Sequence, residues 1–155
     1  MRKEAENSNM YLTNGAQIAI IGGGPAGCFF ANFANRLAKQ LGLDVSVTIF
    51  EQRDFARPVK SGCNMSVGVL AENLLQKLDD TGISIPDRCI QTEIEGYHFI
   101  TREDRVSLYH PKPGRRPRIV TVFRGAGPLH SQFELDVSFD NFMLITARER
   151  GANLI

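Results

Sequence analysis

The spacing of apolar positions divides the first third of the chain into two short apolar runs and one helical pattern. Residues 18–21 and 45–50 are continuously apolar or nearly so, which is typical of buried parallel strands. Between them, large apolar residues recur at helical spacing from Cys28 to Leu41, and Gly42 is placed to end that helix. The pattern predicts a strand, a helix and a second strand in succession.

The rest of the chain predicts a less regular series of elements. Residues 53–65 predict a loop, and Ser66 is a candidate N-cap for a helix over residues 67–78. Three later segments have the composition of strands, and the connections between them favour an antiparallel meander: residues 94–100, 105–109 and 119–123. Helical spacing returns at residues 139–150, and Asn153 begins another strand-like segment.

A glycine-rich turn, G-G-G-P-A-G, joins the first predicted strand to the helix, and Glu51 closes the second strand. This order is that of a dinucleotide-binding βαβ unit. Gly22 allows a sharp turn, Gly24 lets a pyrophosphate approach the backbone, and Gly27 lets the helix pack closely on the sheet. Glu51 favours a free ribose hydroxyl over a 2′-phosphate, so FAD or NAD is preferred to NADP. A turn that binds no ligand is the alternative.

The residues I-G-G-G-P-A-G resemble the opening of FAD-dependent oxidoreductases of the glutathione reductase and hydroxybenzoate hydroxylase type. In those families the first βαβ unit holds the ADP half of FAD, so the resemblance favours FAD over NAD. It implies that the cofactor is bound by the turn and by the residues that close the second strand: Gly22, Gly23, Gly24, Pro25, Ala26, Gly27, Glu51, Gln52 and Arg53.

Composition narrows the class of protein. The 155 residues, 43% of them hydrophobic, suit one ordinary globular domain, and the net charge of +1 gives no argument for a nucleic-acid partner. No apolar run approaches the roughly 20 residues of a membrane span, and the polar N-terminus lacks the apolar core of a secretory signal. Cys28, Cys63 and Cys89 lack metal-site spacing, so we expect no metal and a reducing cytoplasm, with Cys28 as a small buried filler.

A second resemblance covers most of the chain from Ile18 onward. The stretches P-V-K-S-G-C-N-M-S-V-G-V-L, F-R-G-A-G-P and S-F-D-N-F-M-L-I-T-A-R-E-R-G-A resemble geranylgeranyl reductase-like flavoproteins. The resemblance implies an active-site loop with Lys60, Gly62 and a catalytic Cys63, although the three residues after Cys63 depart from the family's pattern. It also implies that Arg124 reaches the FAD pyrophosphate or the flavin edge. A loop cysteine without chemistry and a surface arginine are the alternatives.

In such enzymes the reduced flavin passes a hydride to a carbon–carbon double bond of an isoprenoid chain, and NAD(P)H is a candidate external electron donor. Related members activate oxygen, so an FAD-dependent monooxygenase competes with this function. A nucleotide-binding module without turnover and an NAD-dependent dehydrogenase compete with it as well.

The expected partner is a small molecule of isoprenoid or lipid type. Peripheral contact with a membrane is compatible with that substrate. The arginine-rich loop at residues 114–118 could touch an anionic lipid, although a solvated hairpin tip is the favoured account of it.

The expected fold class is α/β: a Rossmann-like FAD/NAD(P)-binding domain with an inserted antiparallel β-meander, of the three-layer ββα type. Residues 1–14 are expected to form a loose N-terminal lead and residues 15–86 the first part of the FAD-binding domain. Residues 87–130 are expected to form the meander, and residues 131–155 the return helix and the next strand. Because the chain stops as a strand begins, the sequence also predicts an N-terminal fragment of a longer protein.

Overall fold

The computed structural model describes residues 11–57, 68–109, 119–125 and 137–155. Within these ranges the chain contains both helices and strands, which confirms the predicted α/β class. The chain divides into two compact units, one formed by Met1–Gln52 with Ala147–Ile155 and the other by Arg53–Thr146. No helix in the described ranges is both long enough and apolar enough to cross a lipid bilayer.

The first unit contains a parallel three-stranded sheet. Its strands are β1 (Ala16–Ile21), β2 (Val45–Phe50) and β8 (Asn153–Leu154), in the order β1-β2-β8. Helix α1 (Pro25–Leu41) connects β1 to β2, which is the kind of crossover that neighbouring parallel strands require. The predicted strand, helix and strand at the start of the chain are confirmed, as is the strand at Asn153.

Helix α1 begins and ends where its sequence provides the signals. Gly24 is its N-cap in extended conformation, and Pro25 follows at the first helical position, where a missing N–H costs nothing. Gly42 ends the helix in the left-handed region, at φ 66°, and its N–H caps the carbonyls of Ala38 and Lys39. The prediction that Gly42 stops the helix is therefore confirmed.

The buried face of α1 is made of small side chains, not of the large apolar residues that define its periodicity. Cys28 and Ala31 are fully buried and Ala38 nearly so. Phe30, with 54% of its surface exposed, points outward, and Phe33, Leu37 and Leu41 are also exposed. At Gly27, where a Cβ would overlap the Gly22 carbonyl oxygen, the helix lies close to the end of β1, so small residues suit its inner face there.

The described part of the second unit contains two separate antiparallel sheets. Strands β3 (Gly68–Leu70), β7 (Val120–Val122) and β4 (Ile90–Glu93) form one, in the order β3-β7-β4. Strands β5 (Gly96–Ile100) and β6 (Arg105–Tyr109) form a hairpin of their own. The predicted meander is wrong in its pairing, because β7 pairs with β3 and β4 and not with β6.

Helix α2 (Glu72–Asp80) begins later than the sequence predicts. The prediction placed a helix over residues 67–78, but Gly68–Leu70 pair with β7 as a strand. A Cβ added at Gly68 would lie 2.9 Å from the Val122 side chain and 2.8 Å from that of Arg124, so close packing favours glycine in this strand. The candidate N-cap Ser66 lies outside the described residues.

A short 3-10 helix (Asp87–Cys89) precedes β4, and helix α3 (Phe139–Glu149) precedes β8. The prediction of a helix over residues 139–150 is confirmed to within one residue. Met143, Leu144 and Ala147 lie on its buried face, whereas Ile145 is exposed. In the second unit the fully buried side chains include Leu78, Ile83 and Phe123, which form its apolar core.

The close approach of α1 to the end of β1 predicts losses of stability of different size for two glycines of the turn. A Cβ at Gly27 would overlap the Gly22 carbonyl oxygen, so Gly27→Ala should destabilise the protein by about 1–3 kcal/mol through overpacking. In the part of the chain that the structure describes, a Cβ at Gly24 would meet nothing within 4 Å beyond its chain neighbours, and the φ of −67° at Gly24 is not strained for other residues. Because an N-cap prefers glycine to alanine, Gly24→Ala should cost about 1 kcal/mol or less, with no overpacking added. Urea unfolding of both variants measures the difference, and equal midpoints would contradict the packing argument.

Candidate functional site

The glycine-rich turn lies at the carboxyl end of β1, where the chain reverses into α1. Gly22 has a φ of 100°, a conformation that side chains strongly disfavour, so a glycine is required at this position. The Gly22 N–H donates to the Phe50 carbonyl at 2.9 Å and holds the start of the turn against the end of β2. The predicted role of Gly22 in the sharp turn is confirmed.

Gly27 brings the first turn of α1 back against the strand that precedes it. A Cβ there would overlap the Gly22 carbonyl and lie 3.1 Å from the Ile20 side chain. The predicted close packing of helix on sheet at Gly27 is confirmed. The consequence is that the start of α1 lies directly beside the ends of β1 and β2.

Open space lies in front of Gly24. Among the described residues, no atom apart from those of its two chain neighbours comes within 4 Å of a Cβ built at Gly24. The first N–H groups of a helix have no intrahelical partner and carry its positive dipole end, and the first turn of α1 contains no acidic residue. Half-buried Pro25 and exposed Ala26 form that first turn. The arrangement suits an anion that approaches the backbone at Gly24.

Glu51 places its carboxylate against the same turn. Its Oε2 accepts the Gly23 N–H at 2.7 Å, and its own N–H donates to the Ile155 carbonyl at 2.9 Å. The side chain is half-buried, at the carboxyl end of β2. The sequence predicts an acid near the ribose of a nucleotide at this position. The structure places Glu51 beside the turn and adds a contact with Gly23 that the sequence did not predict.

Cys28 contacts the turn from the helix side. Its Sγ–H donates to the Gly23 carbonyl at 2.9 Å, and the side chain is fully buried. The expectation that Cys28 is a small buried residue is confirmed, but its hydrogen bond was missed. Its position in the first turn of a helix after a glycine-rich turn was the available signal, because a donor there can reach back to the preceding carbonyls.

The other predicted cofactor contacts fall in both units or outside the described residues. Gln52 is exposed at the end of the first unit, and Arg53 belongs to the second unit, where its guanidinium lies 4.9 Å from the ring centre of Phe55. The predicted active-site loop and the arginine-rich loop lie outside the described residues, and so do Lys60, Gly62 and Cys63. Their roles stay predictions.

Arg124 forms a bidentate ion pair in the second unit. Its Nε donates to Asp140 Oδ2 at 2.8 Å and its Nη2 to Oδ1 at 2.7 Å. The Asp140 side chain is 2% exposed and that of Arg124 is 14% exposed. The pair joins the segment after β7 to the first turn of α3. A cofactor contact by Arg124 stays a prediction, whereas its structural partner is the aspartate of the F-D-N-F segment.

Cys89 is a second buried thiol, and its surroundings differ from those of Cys28. Its Sγ–H donates to the Val137 carbonyl at 3.0 Å. Burial raises the pKa of the Cys89 thiol above its ordinary value, and nearby Arg88 offsets this only in part. The thiol is therefore protonated at neutral pH and poorly nucleophilic. Within the described ranges, no three His, Cys, Asp or Glu side chains are grouped to hold a metal ion.

Comparison with models of known protein families finds no match to this chain. A search among curated proteins likewise finds no similar sequence.

Because the Arg124–Asp140 pair is largely buried, removal of Asp140 should lower the free energy of unfolding much more than removal of an exposed, paired aspartate. Asp140→Ala leaves the Arg124 guanidinium buried without its carboxylate and should cost about 3–5 kcal/mol of unfolding free energy. Asp54 pairs with Arg57 at 2.9 Å, but these side chains are 54% and 81% exposed. Asp54→Ala should therefore cost about 1 kcal/mol or less. Urea unfolding compares the two, and similar losses would show that the Arg124–Asp140 pair contributes no more than a surface pair.

Proposed function

We propose that the first unit binds the ADP portion of FAD in a Rossmann-like arrangement, and that the chain is the FAD-binding part of an oxidoreductase. One observation carries the proposal: a glycine turn open at Gly24, a helix N-terminus without acids, and the Glu51 carboxylate all meet at the same edge of a parallel sheet. A pyrophosphate and an adjoining ribose require these two kinds of partner side by side.

Each group has a distinct task in this proposal. The backbone N–H groups at Gly24 and in the first turn of α1 receive the pyrophosphate, and the helix dipole favours its negative charge. Glu51 accepts a hydrogen bond from a ribose hydroxyl. The same carboxylate repels a 2′-phosphate, which argues against NADP as the resident ligand.

The choice of FAD over NAD rests on the resemblance of I-G-G-G-P-A-G to FAD-dependent oxidoreductases. An NAD-dependent dehydrogenase would use the same turn and acid, so it is the second candidate for this site. The absorption spectrum of the purified protein distinguishes an FAD-binding protein from an NAD-binding one. A bound flavin gives the purified protein a yellow colour and a flavin absorption spectrum, and NAD does not.

The proposed reaction is the reduction of a carbon–carbon double bond in an isoprenoid-like or lipid substrate, with NAD(P)H as the electron donor. Bound FAD would supply the hydride-transfer chemistry. The resemblance of the later segments to geranylgeranyl reductase-like flavoproteins supports this proposal, and it makes the loop with Lys60, Gly62 and Cys63 a candidate part of the substrate site.

A monooxygenase and a nucleotide-binding module without turnover compete with this reaction. NAD(P)H oxidation assayed with and without an isoprenoid acceptor separates the three. Buried thiols at Cys28 and Cys89, neither of them in a disulfide, agree with a cytoplasmic location. In the cytoplasm, peripheral contact with a membrane would give the protein access to a lipid substrate.

A bulky residue at Gly24 tests where the pyrophosphate binds. Gly24→Val places a side chain in the open space in front of the turn, so it should abolish detectable FAD binding while the protein stays folded. Isothermal titration with FAD, together with urea unfolding, separates loss of binding from loss of fold. Gly24→Ala, with a smaller side chain in the same space, should give an intermediate loss. An unchanged dissociation constant for Gly24→Val would mean that the phosphates bind elsewhere.

Removal of the carboxylate tests the ribose contact. Glu51→Ala should weaken ADP and FAD binding by about 1–3 kcal/mol, because a charge-assisted hydrogen bond to the nucleotide is lost. Exposed Glu149 serves as the control, since Glu149→Ala removes the same charge from the same unit and should leave both affinities unchanged. Equal affinities in Glu51→Ala and wild type would remove Glu51 from the site.

A further inference from the structure

Gly23, the middle glycine of the turn, is held by side chains on both sides of its Cα atom. Its N–H donates to Glu51 Oε2 at 2.7 Å, and its carbonyl accepts the Cys28 Sγ–H at 2.9 Å. The two groups belong to the two successive peptide planes that flank the Gly23 Cα. Glu51 extends from the end of β2 and Cys28 from the first turn of α1, so two different elements restrain one residue.

A restraint at this position has a clear physical effect. Glycine loses more conformational freedom on ordering than any other residue, and three glycines follow one another here. Without restraint, such a turn would have to be ordered when a ligand binds, and that cost would be subtracted from the affinity. Two hydrogen bonds on the peptide planes of Gly23 fix the rotations about both of its backbone bonds, so the turn is ordered before any ligand arrives.

We propose that Cys28 and Glu51 are positioning residues that act together as a clamp on Gly23 and preset the turn for the phosphates of a nucleotide. The proposal rests on the function proposed above. It adds a second role for the Cys28 thiol, which the sequence predicts only as a small buried residue. Cys28 need not touch the ligand to have this effect. Cys28 acts through Gly23, and Glu51 acts both through Gly23 and at the ribose.

The clamp also assigns the donors that meet the phosphates. The Glu51 carboxylate forms a short, charge-assisted bond with the Gly23 N–H, and such bonds are about twice as strong as neutral ones. The Gly23 N–H is therefore directed at Glu51 and not at the ligand. The phosphates are received beyond Gly23, by the backbone at Gly24 and the first turn of α1.

The experiment compares Cys28→Ala and Cys28→Ser with Cys89→Ala in the full chain. Serine keeps a donor for the Gly23 carbonyl, whereas alanine removes it. Cys89→Ala is the matched control, since it deletes another buried thiol that donates to a backbone carbonyl at 3.0 Å, in the second unit. Amide hydrogen exchange of Gly23 is measured by NMR in the ligand-free protein, and ADP affinity by isothermal titration.

We expect Cys28→Ala to accelerate Gly23 exchange and to weaken ADP binding by about two- to tenfold, the effect of one lost hydrogen bond. Cys28→Ser should lie within about twofold of wild type in both measurements, as a retained neutral hydrogen bond would allow. Cys89→Ala should change neither measurement, even if it lowers the unfolding midpoint. Rescue by serine is the outcome that a cysteine acting only by its volume would not produce.

Two results would overturn the proposal. If Gly23 exchange in Cys28→Ala equals that of wild type, the thiol does not restrain the turn. If exchange accelerates but ADP affinity is unchanged, the clamp exists but does not preset the turn for a nucleotide. Failure of the wild-type protein to bind ADP or FAD would overturn the proposed function instead, and Gly23 exchange in the ligand-free protein would still decide whether the clamp exists.

Discussion

The close approach of α1 to the end of β1 is the constraint on which the rest of the first unit depends. Because Gly27 lies against the Gly22 carbonyl, the start of the helix is close to the end of β1, and the small residues Cys28 and Ala31 are buried on its inner face. The same approach brings the Cys28 thiol within reach of the Gly23 carbonyl. It also sets the N-terminus of α1 at the edge of the sheet, where its first N–H groups are available for an anion.

The parallel pairing of β1 with β2 supplies the second half of the arrangement. Ile21 is opposite Phe50, so the residue after β2 emerges beside the glycine turn. Glu51 reaches the Gly23 N–H from that position, although the two residues are 28 positions apart in sequence. The acid and the turn thus meet because strand register, helix packing and the left-handed conformation of Gly22 all require the same geometry, which is the consistency expected of a well-specified local structure.

The sequence predicted the first βαβ segment well because every signal there is local. An apolar strand, a glycine turn, helical spacing and Gly42 lie within consecutive residues, each with a direct physical effect. The sheet of the second unit was not predicted because β3 pairs with β7 about fifty residues later, and local composition carries no information about such pairing. The burial of Cys28 was predicted, but hydrophobic spacing alone would also bury Phe30 and Leu37, which are exposed. The Glu51–Gly23 hydrogen bond could not be predicted without the register between β1 and β2, which the sequence does not specify. The identity of the ligand stays a prediction from the glycine motif and the geometry of the site.

Glu51 couples the two ends of the proposed nucleotide site. One carboxylate oxygen accepts the Gly23 N–H. In the proposed site, the same group would also accept a ribose hydroxyl, while the turn that it holds would face the phosphates. Its removal would therefore disturb both halves of a bound ADP, whereas loss of Cys28 would disturb only the phosphate half. Residues that share a partner do not contribute additively, and Cys28 and Glu51 share Gly23. Once either side of the clamp is lost, the remaining hydrogen bond fixes only one of the two backbone rotations of Gly23 and orders the turn less well. The joint loss of both should therefore weaken ADP binding by less than the sum of the separate losses.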